Sequence, residues 1–288
     1  MSTLSLIILC SLTGGVFSLI GGITLSMNKK SKTLASYATA FAAGALLAAA
    51  FMDLLPEAVE QSNPQQAMLF AMCGLIFFFL LEGAIHWFHK HADKNNSNHP
   101  INTMIIIGDT IHNFIDGAAI AAGFLVSPIS GIIVTLAVVA HEIPQEIADF
   151  GILLHNSMSR KKAILINIFS AIVATLSAVI FFLLGNSINI DLSPLLGIVA
   201  GFFIYIAATD IIPTIHQEKD RRIILKKSIW MIIGTVLVSL LIVNLHAYAH
   251  NHSGNEQHSH SSEHIEHNHH HHNDDEIHGR SYIDHDHH

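Results

Sequence analysis

The chain has 288 residues, 51% of them hydrophobic and only 12% charged, with a formal net charge of −8. A soluble domain of this size carries about 25% charged residues, so the composition excludes an ordinary water-soluble globule and points to a lipid environment. A helix needs about 20 apolar residues to cross a bilayer, and stretches of that kind recur throughout. In chain order they predict eight spans, near 4–27, 34–60, 67–89, 101–125, 128–155, 160–185, 192–216 and 226–248. No soluble domain fits between them. The first stretch reads as a retained span rather than a signal peptide, because it lacks a basic leading segment and runs too long. Its Gly14, Gly15, Gly21 and Gly22 suit close helix packing in lipid. Cys10 and Cys73 both fall inside apolar spans, so no disulfide framework is implied.

The basic residues set an orientation. Lys29, Lys30 and Lys32 follow span one, and Lys90 and Lys94 follow span three. Arg160, Lys161 and Lys162 follow span five, and Lys219, Arg221, Arg222, Lys226 and Lys227 follow span seven. Only Arg280 lies elsewhere, and the loops near 61–66, 126–130 and 186–192 have neither Lys nor Arg. Cytoplasmic loops carry such an excess. The alternation requires an even number of spans and predicts both termini on the extracytoplasmic side. Span two ends in Asp53-Leu54-Leu55-Pro56 and span seven contains Asp210-Ile211-Ile212-Pro213. Similar motifs on oppositely directed helices suggest an inverted repeat of three spans, which places a binding site near the midplane. Asp53 and Asp210 then line the ion path or anchor helix ends.

Ionisable groups inside spans are costly, at roughly 2.5–3.5 kcal/mol each on insertion scales, and they mark functional sites. Span four reads Gly108-Asp109-Thr110-Ile111-His112-Asn113-Phe114-Ile115-Asp116-Gly117. Asp109, His112 and Asp116 share one helix face by their i, i+3 and i, i+4 spacings, and Asn113 sits beside them. Span five reads His141-Glu142-Ile143-Pro144-Gln145-Glu146-Ile147-Ala148-Asp149. His141 and Gln145 share a face, with Glu142, Glu146 and Asp149 on an adjoining stripe. Pro144 removes a helical hydrogen bond and frees the carbonyl near Ala140. Such nitrogen and oxygen donors suit zinc, iron(II) or manganese, and a cation neutralises carboxylates that otherwise face desolvation. The plain alternative is a buried hydrogen-bond network tying the helices together. Glu82 and His86 share a face of span three as a gate or a helix-end pair. His155, His216 and His246 lie near span ends and read as interfacial.

At these residues the sequence resembles the ZIP family of metal ion transporters. His112-Asn113-Phe114-Ile115-Asp116-Gly117 is similar to the family's His-Asn-x-x-Asp-Gly motif, and His141-Glu142-Ile143-Pro144-Gln145-Glu146 to its His-Glu-Ile-Pro-His-Glu motif. Leu54-Leu55-Pro56-Glu57-Ala58 and Asp210-Ile211-Ile212-Pro213 resemble spans two and seven of the branch with the LIV-1 and bacterial GufA-like members. The resemblance implies an all-α polytopic fold of eight helices arranged as three, two and three. It implies a metal centre between spans four and five, often able to hold two ions, with His112, Asn113, Asp116, His141, Glu142 and position 145 as ligands. Asp53, Asp109, Glu146 and Asp210 are further ligand or pathway candidates. It implies import of divalent metal into the cytoplasm across the cell membrane, commonly by a homodimer. Zinc is the first expectation, with iron or manganese as alternatives. The metal is cargo, and no cofactor or nucleic-acid partner is expected.

One departure stands out: Gln145 occupies the place of the common motif's second His. An amide oxygen binds zinc less strongly than imidazole, which predicts weakened or altered selectivity. The loop after span three holds His89, His91 and His99, a reduced form of the family's His-rich loop. Residues 1–249 form the transport domain. Residues 250–288 hold 14 of the 23 His and 8 of the 22 acidic residues without apolar periodicity, which predicts a disordered, metal-capturing extracytoplasmic tail. The competing reading is an intramembrane zinc-dependent hydrolase. Site-two-type proteases use His-Glu-x-x-His, but here the second His is missing and Pro144 interrupts the motif. A metal sensor without transport is a third class.

Overall fold

The computed structural model describes residues 2–25, 29–92, 100–188 and 191–261. Every regular element among them is helical: α1 (Thr3–Leu25), α2 (Lys29–Ala49), α3 (Leu55–Glu60), α4 (Pro64–Ala92), α5 (Pro100–Val126), α6 (Pro128–His155), α7 (Arg160–Ile188), α8 (Leu192–Tyr205), α9 (Ile212–His216) and α10 (Arg221–Ser261). Two π-helical turns, Ala50–Leu54 and Ile206–Ile211, join α2 to α3 and α8 to α9. Spans two and seven are therefore each one interrupted helix, while α5 is span four and α6 is span five.

Among the described residues, seven helical stretches are long and apolar enough to cross a membrane: Thr33–Glu60, Pro64–Ala84, Ile105–Val126, Pro128–Leu154, Arg160–Ser187, Leu192–His216 and Arg221–Ala247. The eighth expected span coincides with α1, whose described apolar stretch, Thr3–Phe17, is shorter. The last helix, α10, runs on to Ser261. Contacts divide the chain into Met1–His246 and Ala247–His288. The expectation for 262–288 lies outside the described residues.

Local sequence explains where the helices begin. Ser127 caps α6 by accepting the Ser130 amide at 3.0 Å, with Pro128 supplying the first helical turn. Asp191 caps α8 by accepting the Ser193 amide at 3.0 Å. Both π turns precede a proline: Pro56 and Pro213 sit in the first turn of the helical segment that follows. A proline cannot donate to the preceding turn, and the wider π turn absorbs the mismatch at the same motif in both helices.

The interior is built mainly from small residues. Ala42, Ala43, Ala45, Ala48, Ala49 and Ala50 of span two are all buried. Large apolar side chains such as Phe77, Phe79 and Leu80 of α4, Leu165 and Phe169 of α7, and Ile232 and Leu240 of α10 are exposed, as lipid contact requires. The helices approach closely. A Cβ on Gly44 would lie 2.1 Å from the Met231 carbonyl oxygen, and one on Gly234 would lie 2.2 Å from that of Phe41. Glycine at both positions is what lets α2 and α10 touch backbone to backbone. Elsewhere α5 packs on α7 and α6, α1 on α6 and α7, and α4 on α8. The α5–α6 pairing brings the two polar stripes face to face.

Candidate metal centre

His112 on α5 and His141 on α6 point at each other, with their Nε2 atoms 3.0 Å apart. Asp116, one turn beyond His112 on α5, sets its Oδ2 3.4 Å from each of these nitrogens. The three atoms form a triangle with sides of 3.0, 3.4 and 3.4 Å. A tetrahedral ion with bonds of about 2.0–2.1 Å spaces its ligands about 3.3 Å apart, so the triangle matches one face of such a polyhedron. These are the residues, among those described, that converge closely enough to hold a metal ion.

His141 Nδ1 lies 3.1 Å from the Ala137 carbonyl oxygen. A carbonyl only accepts, so Nδ1 carries the proton and the neutral ring offers the Nε2 lone pair to the centre. Asp116 is fully buried, and neither of its carboxylate oxygens has a hydrogen-bond partner. Glu142, also buried, has an unpartnered Oε1. Orphaned carboxylate oxygens in a low-dielectric interior are costly, and a divalent cation would satisfy both.

The other sequence candidates separate into groups. Asn113 donates its amide to Asp109 Oδ1 at 3.0 Å and to the Asp109 carbonyl at 3.2 Å. Asp109 also accepts from Ser170 Oγ at 2.5 Å, and Glu146 accepts from Asn167 Nδ2. Both carboxylates are thus held by α7, a contribution missed in reading the sequence. Its signal was two polar residues, Asn167 and Ser170, three apart in a mostly apolar span. Gln145 lines the cavity that His112 and His141 head. Asp53 is buried elsewhere, against Ser130 and His246. His246, near the end of the Arg221–Ala247 stretch, is engaged with Asp53. Glu82 accepts from Tyr205 Oη, and His216 is exposed. The side chains of Asp210, His86, His89, His91, His99 and His155 lie outside the described residues; the backbone of Asp210 falls in the second π turn.

The cavity has a volume of about 1210 Å³. It is lined by His112 and His141, by Ser36 and Thr39 of α2, by Gln145, Asp149 and Gly151 toward the C-terminal end of α6, by Thr214 of α9 and by Lys227 in the first turns of α10. It therefore runs toward the end of the bundle that carries Lys227. On another side Phe202 and Phe203 of α8 wall off the centre, with ring centroids 5.5 Å from His112 and 6.3 Å from His141 respectively. Both rings are buried, and Phe202 stacks on Phe78.

The family model for the ZIP zinc transporters matches residues 2–103 and 97–242. The chain belongs to the ZIP zinc transporter family. Zinc transporter ZIP10 of Homo sapiens is 35% identical over 147 residues, which is 46% of this chain and 18% of the relative. Zinc transporter ZIP4 of Homo sapiens is 37% identical over 119 residues, 41% of this chain and 18% of the relative. Zinc transporter ZIP13 of Pongo abelii is 28% identical over 215 residues, 69% of this chain and 64% of the relative. The chain thus spans less than a fifth of the ZIP10 and ZIP4 relatives it matches. Membership and the apolar helices make this ZIP family member a multi-pass membrane protein.

Proposed function

We infer that the protein imports divalent transition metal ions, zinc foremost, into the cytoplasm across the cell membrane. The observation that carries this reading is the His112–Asp116–His141 triangle beside a cavity inside a lipid-facing bundle. The names of the relatives, all zinc transporters, point the same way. In this reading α1 completes a set of eight spans arranged as three, two and three. The matching π turns reflect an inverted repeat, and both termini face outward. The Lys227 end is cytoplasmic, in line with its basic loops, so the cavity is an inward-facing release path. The transporter works as a homodimer, as the family resemblance implies.

The ion is held by His112, Asp116 and His141. Glu142, the Asn113 oxygen and Gln145 complete its shell or take a second ion. Asp109 and Glu146 stand next on the way toward the cytoplasm. Ligand binding requires unprotonated donors, and the Ala137 contact already secures that for His141. Phe202 and Phe203 seal the centre from outside in this conformation. Movement of the α5–α6 pair and its packing partners α1 and α7 against α4 and α8 opens the opposite side.

Flux into proteoliposomes tests the reading. Zinc accumulates inside vesicles carrying the purified protein, and the Asp116→Ala protein does not accumulate it. Bound metal without accumulation would identify a sensor or an intramembrane hydrolase instead. Gln145 carries a second expectation. Gln145→His adds an imidazole at the cavity wall and shifts preference toward zinc over manganese and iron(II), by about tenfold in the ratio of uptake efficiencies. An unchanged ratio in competition assays would remove Gln145 from the ligand set.

A further inference from the structure

We propose that Asp53, His246 and Ser130 form a second divalent-cation site, which loads the transporter from the outside. The site rests on the import reading only for its role; its existence stands on its own geometry. Asp53 lies in the first π turn and is only 3% exposed. Its Oδ1 accepts from Ser130 Oγ at 3.2 Å, and His246 Nε2 lies 3.5 Å from the same oxygen. Its Oδ2 is buried with no partner at all. An imidazole and a hydroxyl from two other helices thus approach one oxygen of a buried carboxylate whose second oxygen is unsatisfied, and the donor set suits zinc, manganese or iron(II).

Position separates this cluster from the central triangle. Ser130 precedes His141 by eleven residues on α6, about 16 Å along the helix axis. His246 follows Lys227 by nineteen residues on α10, about 28 Å along the axis, so the cluster sits toward the opposite end of the bundle from the cavity mouth. The cluster is not sealed from its own side, because the His246 side chain is 37% exposed. Glu57, one turn beyond Asp53, stands part-buried on the same face and accepts from Gln61 Nε2 at 2.9 Å. The His-rich segment begins four residues after His246 in sequence, at His250.

The π turn gives a physical reason for the arrangement. Widening the helix by one residue per turn swings Asp53 into the interior, and such bulges recur at functional sites. A purely structural ion pair between span two and α10 would satisfy Oδ1 and leave Oδ2 stranded. A cation reaching Oδ2 and His246 Nε2 satisfies both.

The test uses the full chain with His246→Cys, so that a thiolate takes the place of the imidazole. Buffered zinc is expected to slow alkylation of the introduced thiol by a maleimide about tenfold or more, read by mass spectrometry at position 246. Adding Asp53→Asn abolishes the protection, Asp53→Glu retains it, and Asp116→Ala leaves it in place. Equal alkylation with and without zinc would overturn the proposal, as would protection indifferent to Asp53→Asn. Should the double variant fail to fold, His246→Ala alone decides: the half-saturating zinc concentration for uptake rises about tenfold, and an unchanged value would overturn the site. Protection of the introduced thiol in a protein that moves no zinc upholds the outer site and defeats the import reading. Flux without protection does the reverse.

Discussion

Asp116→Ala is expected to reduce zinc uptake to the background of protein-free vesicles while leaving the metal-free protein at least as stable as before. Asp116 is the one residue whose single oxygen faces both imidazoles, at 3.4 Å from each. Removing it takes away the anionic ligand and breaks the triangle. The loss in affinity is at least about 100-fold, or about 2.7 kcal/mol. Stability moves the other way because the carboxylate is fully buried with both oxygens unpartnered. A group held for function at the expense of stability relaxes when truncated. The measurement is a pair of melting curves in detergent. Wild type shows a rise in melting temperature on adding zinc, and Asp116→Ala loses that rise without starting lower. A markedly lower metal-free melting temperature would mean that Asp116 is a structural member of a polar network, with its lost uptake a consequence of unfolding.

Gly151→Trp is expected to slow uptake at least about tenfold, a barrier increase of about 1.4 kcal/mol, while sparing folding and metal binding. Gly151 lines the cavity below the centre. A Cβ added there meets nothing within 4 Å, in contrast to Gly44 and Gly234, where any side chain strikes backbone. Glycine in a helix interior is unfavourable by up to about 1 kcal/mol relative to good helix formers, so tryptophan brings no local penalty. Its indole projects into the route between His141 and Lys227. Binding at the centre, read by the zinc-induced melting shift, stays as in wild type, whereas flux into vesicles falls. Gly151→Ala, too small to obstruct, keeps the wild-type rate. Undiminished flux through Gly151→Trp would show that ions leave by another path, and the cavity would lose its assigned role.

The chemistry of the centre was legible because it is local. The spacing of His112 and Asp116 places them on one face of a 3.6-residue helix whatever surrounds it, and the same holds for His141 and Gln145. Charge patterning was equally readable, since thirteen of fourteen basic residues fall in four alternate loops. The relation between the two motifs was open. Facing helices were inferred from chemistry, since apolar spans carry no amphipathic stripe to say which side meets which neighbour. The same gap hid the partner of His246, which meets Asp53 where α10 packs on α2 through Gly44 and Gly234.

Read alone, the sequence determined that the chain is a membrane-embedded helical protein, which stretches form its helices, and which residues on α5 and α6 share a face. Apolar length, basic-loop alternation and helical periodicity act within a segment, so a linear string carries them in full. Tertiary structure alone decided that His112, Asp116 and His141 meet within 3.4 Å, that Asp109 and Glu146 are held by α7, that Asp53 pairs with His246, and toward which end the centre opens. In lipid, helices associate by close fit of small residues and not by burying an apolar face. That fit depends on the rotation and depth of every helix at once, which no spacing along one helix encodes.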